Sequence, residues 1–477
     1  SAHIGLLLPY APLHHLLFAQ SLPPLVMTSG NPSNEPLCCD NDEALERLGG
    51  LTDAFLLHDR GICRPVDDSV VIATDRAVVP IRRARGYAPA AILLDRAASR
   101  PVLAVGGELK SAVCLLQGHD AVLSEHLGDL KSPATYRHFC RALERLTGLL
   151  RCRPACVAYD LHPAYLSTQH ALRQDKPVQA VQHHHAHIVS CMAENGADGP
   201  ILGVACDGTG YGTDGAIWGC EFMVADVIDF RRVGHLRYFE LPGGDAAAKQ
   251  TFRPALSLLR QLNDTEAAVV LGKRLRDAHG DRFMAVEQML ARKVNCPPTS
   301  SLGRLFDAVA FLTGLCDENG HEAQAAMALE AAAEEYMQTG RRQKAEGGSR
   351  DEACVEPYPV AVANEADMLV LDWRPLVTAI TADVVAGRNP HEIAARFHEG
   401  LSQGLADTAA AAAERAQLGT VALSGGCFAN QLLLTRTAER LQAQGLTVLT
   451  HRRVPAGDGG LALGQAVVAA ARMEGRW

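Results

Sequence analysis

The sequence predicts an α/β protein whose binding chemistry sits at the carboxyl ends of strands. Three observations lead there. Apolar residues make up 48% of the 477, enough for a large core, while aromatics reach only 5% and glycines number 42. That balance suits tight strand-to-helix turns better than an all-β sandwich. Short β-rich runs alternate with helical stretches, and the runs end in Gly-rich or acidic turns, where open sheets bind ligands. Composition also excludes classes. A net charge of −9 and a pI near 6.1 offer no global basic field for nucleic acid. No apolar run approaches the ~18 residues of a membrane span. Length alone gives a prior of about three domains. The 14 cysteines form no C-x-x-C pair, which fits free thiols in a reducing cytoplasm. The chain opens on Ser1 without a methionine and reads as a piece of something longer.

The elements follow in order. Leu25 to Thr28 reads as a strand ending in the polar turn Ser29-Gly30-Asn31-Pro32. Asn41 to Leu48 reads as a helix and Ser69 to Thr74 as a β-branched strand; a linker then ends near Pro101. Val102 to Val105 is a buried-type strand meeting Gly106-Gly107-Glu108, with a second strand around Ala112 to Gln117. A helix over Thr135 to Leu149 precedes a strand at Ala155 to Tyr159 that ends in Asp160. The pattern recurs at Ile201 to Cys206, ending in Asp207-Gly208-Thr209-Gly210, at Thr420 to Leu423, ending in Ser424-Gly425-Gly426, and near Leu446 to Leu449. Residues 228–300 and 320–395 read as helical insertion, and Lys344 to Cys354 as a mobile loop.

The sharpest chemical signal is His183-His184-His185-Ala186-His187. Residues four apart on a helix share a face, so His183 and His187 can grip one metal ion; His184 with His187 is an alternative pair. A zinc-protease reading fails because His184 stands where H-E-x-x-H needs its Glu. Two imidazoles leave a metal under-coordinated, so carboxylates or substrate oxygens must complete the shell. Asp207 and Asp458, in Gly457-Asp458-Gly459-Gly460, are the strand-end candidates; each alone reads as a turn or cap residue. Together with Gly106-Gly107 and Gly425-Gly426 they point to a phosphate-handling cleft between two lobes.

In combination these motifs, with Ser300 to Asp307, Leu423 to Asn430 and Pro455 to Gly464, resemble the HypF family of carbamoyltransferases over essentially the whole chain. The resemblance implies two parts. Residues 1–97 look like the C-terminal half of a YrdC-like α/β domain, matching at Leu25 to Pro36, Arg64 to Val70 and Arg82 to Pro89. Residues 98–477 look like the two-lobed, actin-like (ASKHA) domain shared with the TsaD family, with lobes of roughly 98–200 and 201–477 and a helical insertion. By the same resemblance one divalent metal ion, zinc or iron, is bound by His183, His187, Asp207 and Asp458. Nucleotide lies against Gly425, Gly426 and Asn430, with Gly106, Gly107, Arg304, Asp307 and Glu322 contributing. Ser29 and Asn31 match the adenylate site of the YrdC-like fold.

The implied reaction converts carbamoyl phosphate and ATP, with magnesium, to carbamoyl-AMP. It then carbamoylates the C-terminal cysteine of HypE in nickel–iron hydrogenase maturation, without a covalent nucleophile on this chain. The acylphosphatase-like and zinc-finger modules usual in the family, and the Lys and Arg of the YrdC-like site, are not in this sequence. Impaired adenylation is therefore expected. The rival enzyme reading is a TsaD-like tRNA threonylcarbamoyltransferase; the attached YrdC-like half and the acidic charge favour a protein acceptor, with no membrane and no nucleic acid. An actin-like kinase is disfavoured by His ligation, since kinase magnesium prefers oxygen. A non-catalytic scaffold is the remaining alternative.

Overall fold

The computed structural model describes residues 4–33, 35–74, 77–262, 265–345 and 355–475, without the side chains of 340–345. Most of the expected loop at Lys344 to Cys354 lies outside the described residues. Two sheets organise the larger part. The first has four strands in the order Cys114–Leu123, Ile92–Ala104, Cys156–Asp160, Val178–Val181, the first pair antiparallel and the rest parallel. The strand Cys114–Leu123 runs past the expected Gln117 because Gly118, at φ +59°, lets the ladder shift register and continue to Leu123.

The second sheet has nine strands among the described residues. Its centre pairs Ile201–Tyr211 antiparallel with Ile217–Ala225 and parallel with Thr420–Ser424, which in turn pairs parallel with Thr447–Leu449. The far edge is built from Phe230–Leu236, Met368–Asp372 and Ala361–Glu365. These last strands fall inside the stretches read as helical insertion. They are short, and charges such as Arg231 and Arg232 break their apolar pattern, so helical neighbours dominated the reading.

Two helices lie between the sheets. His183–Glu194 packs on the C-terminal helix Leu461–Glu474, and both contribute to one core with Val102 and Ala104 of the first sheet and Ala205, Met223 and Ala422 of the second. Ile188, Val189, Val467 and Val468 are buried there, each contributing roughly 1.5–3 kcal/mol. By its packing the C-terminal helix belongs with residues before 200, although it follows the second sheet in sequence. Gly464 allows this: a Cβ there would stand 1.8 Å from the Ala186 carbonyl oxygen.

The first 62 residues carry no strand among those described. Helices span Pro12–Phe18 and Asn41–Leu48, the second capped by Asp40 accepting from the Asp42 and Glu43 amides. The expected strand at Leu25 to Thr28 does not form. It has no ladder partner among the described residues, and Val26 is fully exposed. A β-prone run needs a neighbour to become a strand. The strand read over Ser69 to Thr74 is observed at Val70–Ala73, paired antiparallel with Val78–Arg82.

Candidate metal centre

Parallel pairing fixes the geometry of the site. Ser424 registers with Ala205, so the chain leaves both strands side by side and sets Gly425 and Gly426 against Cys206 and Asp207. Gly425 adopts φ +99°, and a Cβ on Gly426 would come within 2.9 Å of Asp207 Oδ1. A side chain at that turn would displace the carboxylate.

The His183–Glu194 helix begins at the same level. Gln182 caps it by accepting from the His185 amide. One helical turn then brings His183 Nε2 and His187 Nε2 to 3.2 Å. Asp207 Oδ2 lies 3.1 Å from His187 and 3.4 Å from His183, and Asp458 Oδ1 lies 3.6 Å from both. One donor atom from each of the four falls within 4.8 Å of the others. Asp458 reaches the site from the short 3-10 turn Asp458–Gly460, which opens the C-terminal helix. Two imidazoles and two carboxylates form a donor set suited to zinc or ferrous iron. His184, the alternative partner, lies outside the cluster; its ring nears Trp218 and its Nε2 has no partner among the described residues.

Electrostatics keeps both carboxylates ionised. Burial opposes ionisation of Asp458, but the facing imidazoles of His183 and His187 bring its carboxyl down to about 2. Burial likewise opposes the Asp207 charge, and the same two histidines hold it well below the ordinary carboxylate range. Burial drives His184 and His185 the other way and keeps both neutral, His185 at about 4.

The other expected residues distribute around this centre. A Cβ on Gly107 would lie 3.4 Å from Asp458 Oδ2, and the Gly106 amide donates to Gln465 of the C-terminal helix at 2.9 Å. Arg304 and Asp307 pair at 3.0 Å, and Asn319 donates to Asp307. A Cβ on Gly208 would lie 3.9 Å from the Arg304 guanidinium. Glu322 pairs at 2.8 Å with Lys110, which follows the Gly106-Gly107 turn, and so spans the cleft between the two sheets. Asn430 is committed to its own helix: it accepts from the Leu433 amide and its amide nitrogen meets His398. Ser29 is exposed, and Asn31 donates to the Pro32 and Glu35 carbonyls. Among the described residues no hydrogen bond or ion pair joins either to the His–Asp cluster.

Sequence reasoning passed over a second buried network. Ser424 Oγ contacts the His187 carbonyl at 2.9 Å and His451 Nε2 at 2.7 Å, and His451 Nδ1 meets Glu194. It ties His187 and Glu194 of the His183–Glu194 helix to the segments beside it. Ser424 is buried, with its hydroxyl engaged inside the fold, so it positions rather than attacks. The three residues are scattered in sequence, and no spacing signals them.

Glu330 sets up a pH effect beside this turn. It accepts from the Gln431 and Leu432 amides at the start of the helix that follows Asn430. Burial pushes its carboxyl from 4.5 up to about 7, against those two hydrogen bonds. A raised carboxyl binds its proton more tightly in the folded state. Its stabilisation is therefore complete below about 4.5 and is lost as pH rises to about 7, by about 3 kcal/mol. Urea denaturation at pH 5 and pH 8 is expected to show this loss, and Glu330→Gln to flatten it.

Comparisons with known proteins agree with the layout. Residues 97–194 match the model described as HypF Kae1-like domain, and 203–465 the one described as Carbamoyltransferase, Kae1-like Domain, second subdomain. Residues 1–84 match a Sua5/YciO/YrdC model described as Telomere recombination. The chain is 42% identical over 506 residues to carbamoyltransferase HypF2 of Cupriavidus necator, covering 98% of this chain and 61% of that protein. It is 41% identical to a carbamoyltransferase HypF homolog of the same organism, over 78% of this chain and 91% of the homolog. A crystal structure of full-length HypF, in its phosphate- and nucleotide-bound form, superposes with a TM-score of 0.90. Its identity is 40%, covering 99% of this chain and 59% of that one. The chain thus spans about three fifths of the length of the first curated relatives it matches.

Proposed function

The chain belongs to the HypF family of carbamoyltransferases, and on that premise we propose that it transfers a carbamoyl group at the His183–Asp458 centre. The donor is carbamoyl-AMP, formed from carbamoyl phosphate and ATP with magnesium, and the acceptor is the C-terminal cysteine of HypE. The product serves cyanide-ligand maturation of nickel–iron hydrogenases. The observation that carries this reading is the convergence of His183, His187, Asp207 and Asp458 beside the Gly425-Gly426 turn.

In the transfer step the cysteine sulfur, as thiolate, attacks the carbamoyl carbon. The bond from that carbon to the phosphate oxygen breaks, and AMP leaves with the electron pair. Thiolate suits the role because it stays nucleophilic near neutral pH. A divalent ion held by the four side chains would polarise an acyl or phosphate oxygen and stabilise the leaving group. The chain's own residues orient the donor. Gly107 and Gly426 bring bare backbone against the carboxylates, where backbone amides can meet a phosphate, and Arg304 supplies positive charge beside Gly208.

The test is direct. Purified chain, loaded with zinc or iron, is mixed with carbamoyl-AMP and HypE, and the HypE C-terminal peptide is examined by mass spectrometry. One added carbamoyl on the terminal cysteine is the expected result. Protein that binds both metal and AMP yet leaves HypE unmodified would overturn the reading.

A further inference from the structure

Asp160 ends the strand Cys156–Asp160 and is fully buried. Its Oδ1 accepts from the His162 amide at 2.9 Å, which fixes the carboxyl plane. Its Oδ2 lies 2.7 Å from His183 Nδ1. Among the described residues this histidine is its ion-pair partner; no Lys or Arg reaches it. The far nitrogen of the same ring, Nε2, faces His187, Asp207 and Asp458. His183 is thus held at both ends: one nitrogen on a buried carboxylate, the other at the centre of the cluster. His187 differs, since among the described residues its side-chain hydrogen bonds run through Nε2 alone.

We propose that Asp160 is a positioning residue that holds a proton on His183 Nδ1 and so leaves Nε2 as the nitrogen presented to a divalent cation. Without such a partner the ring is free to carry its proton on Nε2, where no ligand bond can form. The buried carboxylate also makes that nitrogen a stronger donor, as metal-bound histidines backed by carboxylates are. The inference rests on reading the four-residue cluster as a metal centre. It predicts an unequal pair: His183 locked before the metal arrives, His187 oriented by the metal itself.

Two measurements on the full chain test it. Zinc affinity is determined by competition with a chromophoric chelator for the wild type, Asp160→Asn and His183→Gln. Asp160→Asn is expected to bind about 10- to 100-fold more weakly. If His183→Gln loses zinc while Asp160→Asn binds as the wild type does, the positioning role is overturned and the metal centre stands. If His183→Gln also binds normally, the metal reading itself fails. The second measurement needs no folded variant of Asp160. Histidine-selective 15N NMR of the metal-free wild type, with the His183 signal assigned by its loss in His183→Gln, should show a proton held on Nδ1. A ring protonated on Nε2 alone would overturn the proposal.

Discussion

His187→Ala is expected to abolish stoichiometric metal binding and to destabilise the metal-free fold as well. Apparent binding energies of four-ligand zinc sites, about 10–16 kcal/mol, imply about 3 kcal/mol per ligand, or two orders of magnitude in affinity. The second effect comes from what stays behind. Asp207 and Asp458 are held ionised by the two facing imidazoles. Removing one imidazole leaves largely buried carboxylate oxygens short of a partner, which costs several kcal/mol. Excess zinc should raise the melting temperature of the wild type by mass action and leave that of His187→Ala almost unmoved. Equal zinc-dependent stabilisation of both proteins would remove His187 from the ligand set.

Gly464→Ala is the second large effect, and it touches no ligand. Its new methyl would stand 1.8 Å from the Ala186 carbonyl oxygen and 2.9 Å from the Ser190 amide. Both belong to the backbone of the His183–Glu194 helix, so neither can rotate aside. The two helices must part, at a cost of about 1–3 kcal/mol or more for an overpacked core. Because His183 and His187 ride on the displaced helix while Asp207 stays on its strand, zinc affinity should fall together with stability. Urea denaturation and chelator competition on the same preparation check both. A variant with lowered stability but unchanged affinity would mean that the helix moves as a unit with Asp207 and Asp458.

Much of this centre was legible because its signals are local. The i, i+4 histidines on a helix, and acids at strand ends in Gly-rich turns, each follow from a few adjacent residues. Which histidine faces the site was not legible: His183 and His184 differ by about 100° on the helix, and only packing against Trp218 and Asp160 distinguishes them. Asp160 itself sits at a strand end as Asp207 does, but without glycines behind it, and its partner lies 23 residues away. The strands Phe230–Leu236 and Met368–Asp372 were hidden for a related reason. A strand exists through its neighbours, and these two pair with each other across more than 130 residues of sequence. The return of the C-terminal helix to the first sheet is likewise a tertiary choice, signalled only by the small residues Ala462, Gly464 and Ala466.

The proposed centre draws four side chains from three separate chain segments around one divalent ion, beside the Gly425-Gly426 turn. Diffraction from crystals grown with AMP, recorded on both sides of the zinc and iron absorption edges, tests it most directly. The expected map has one anomalous peak about 2.0–2.2 Å from His183 Nε2, His187 Nε2 and an oxygen each of Asp207 and Asp458, with nucleotide density against Gly426. A peak ligated by other residues, or nucleotide bound in the cleft with these four side chains holding no metal, would contradict it.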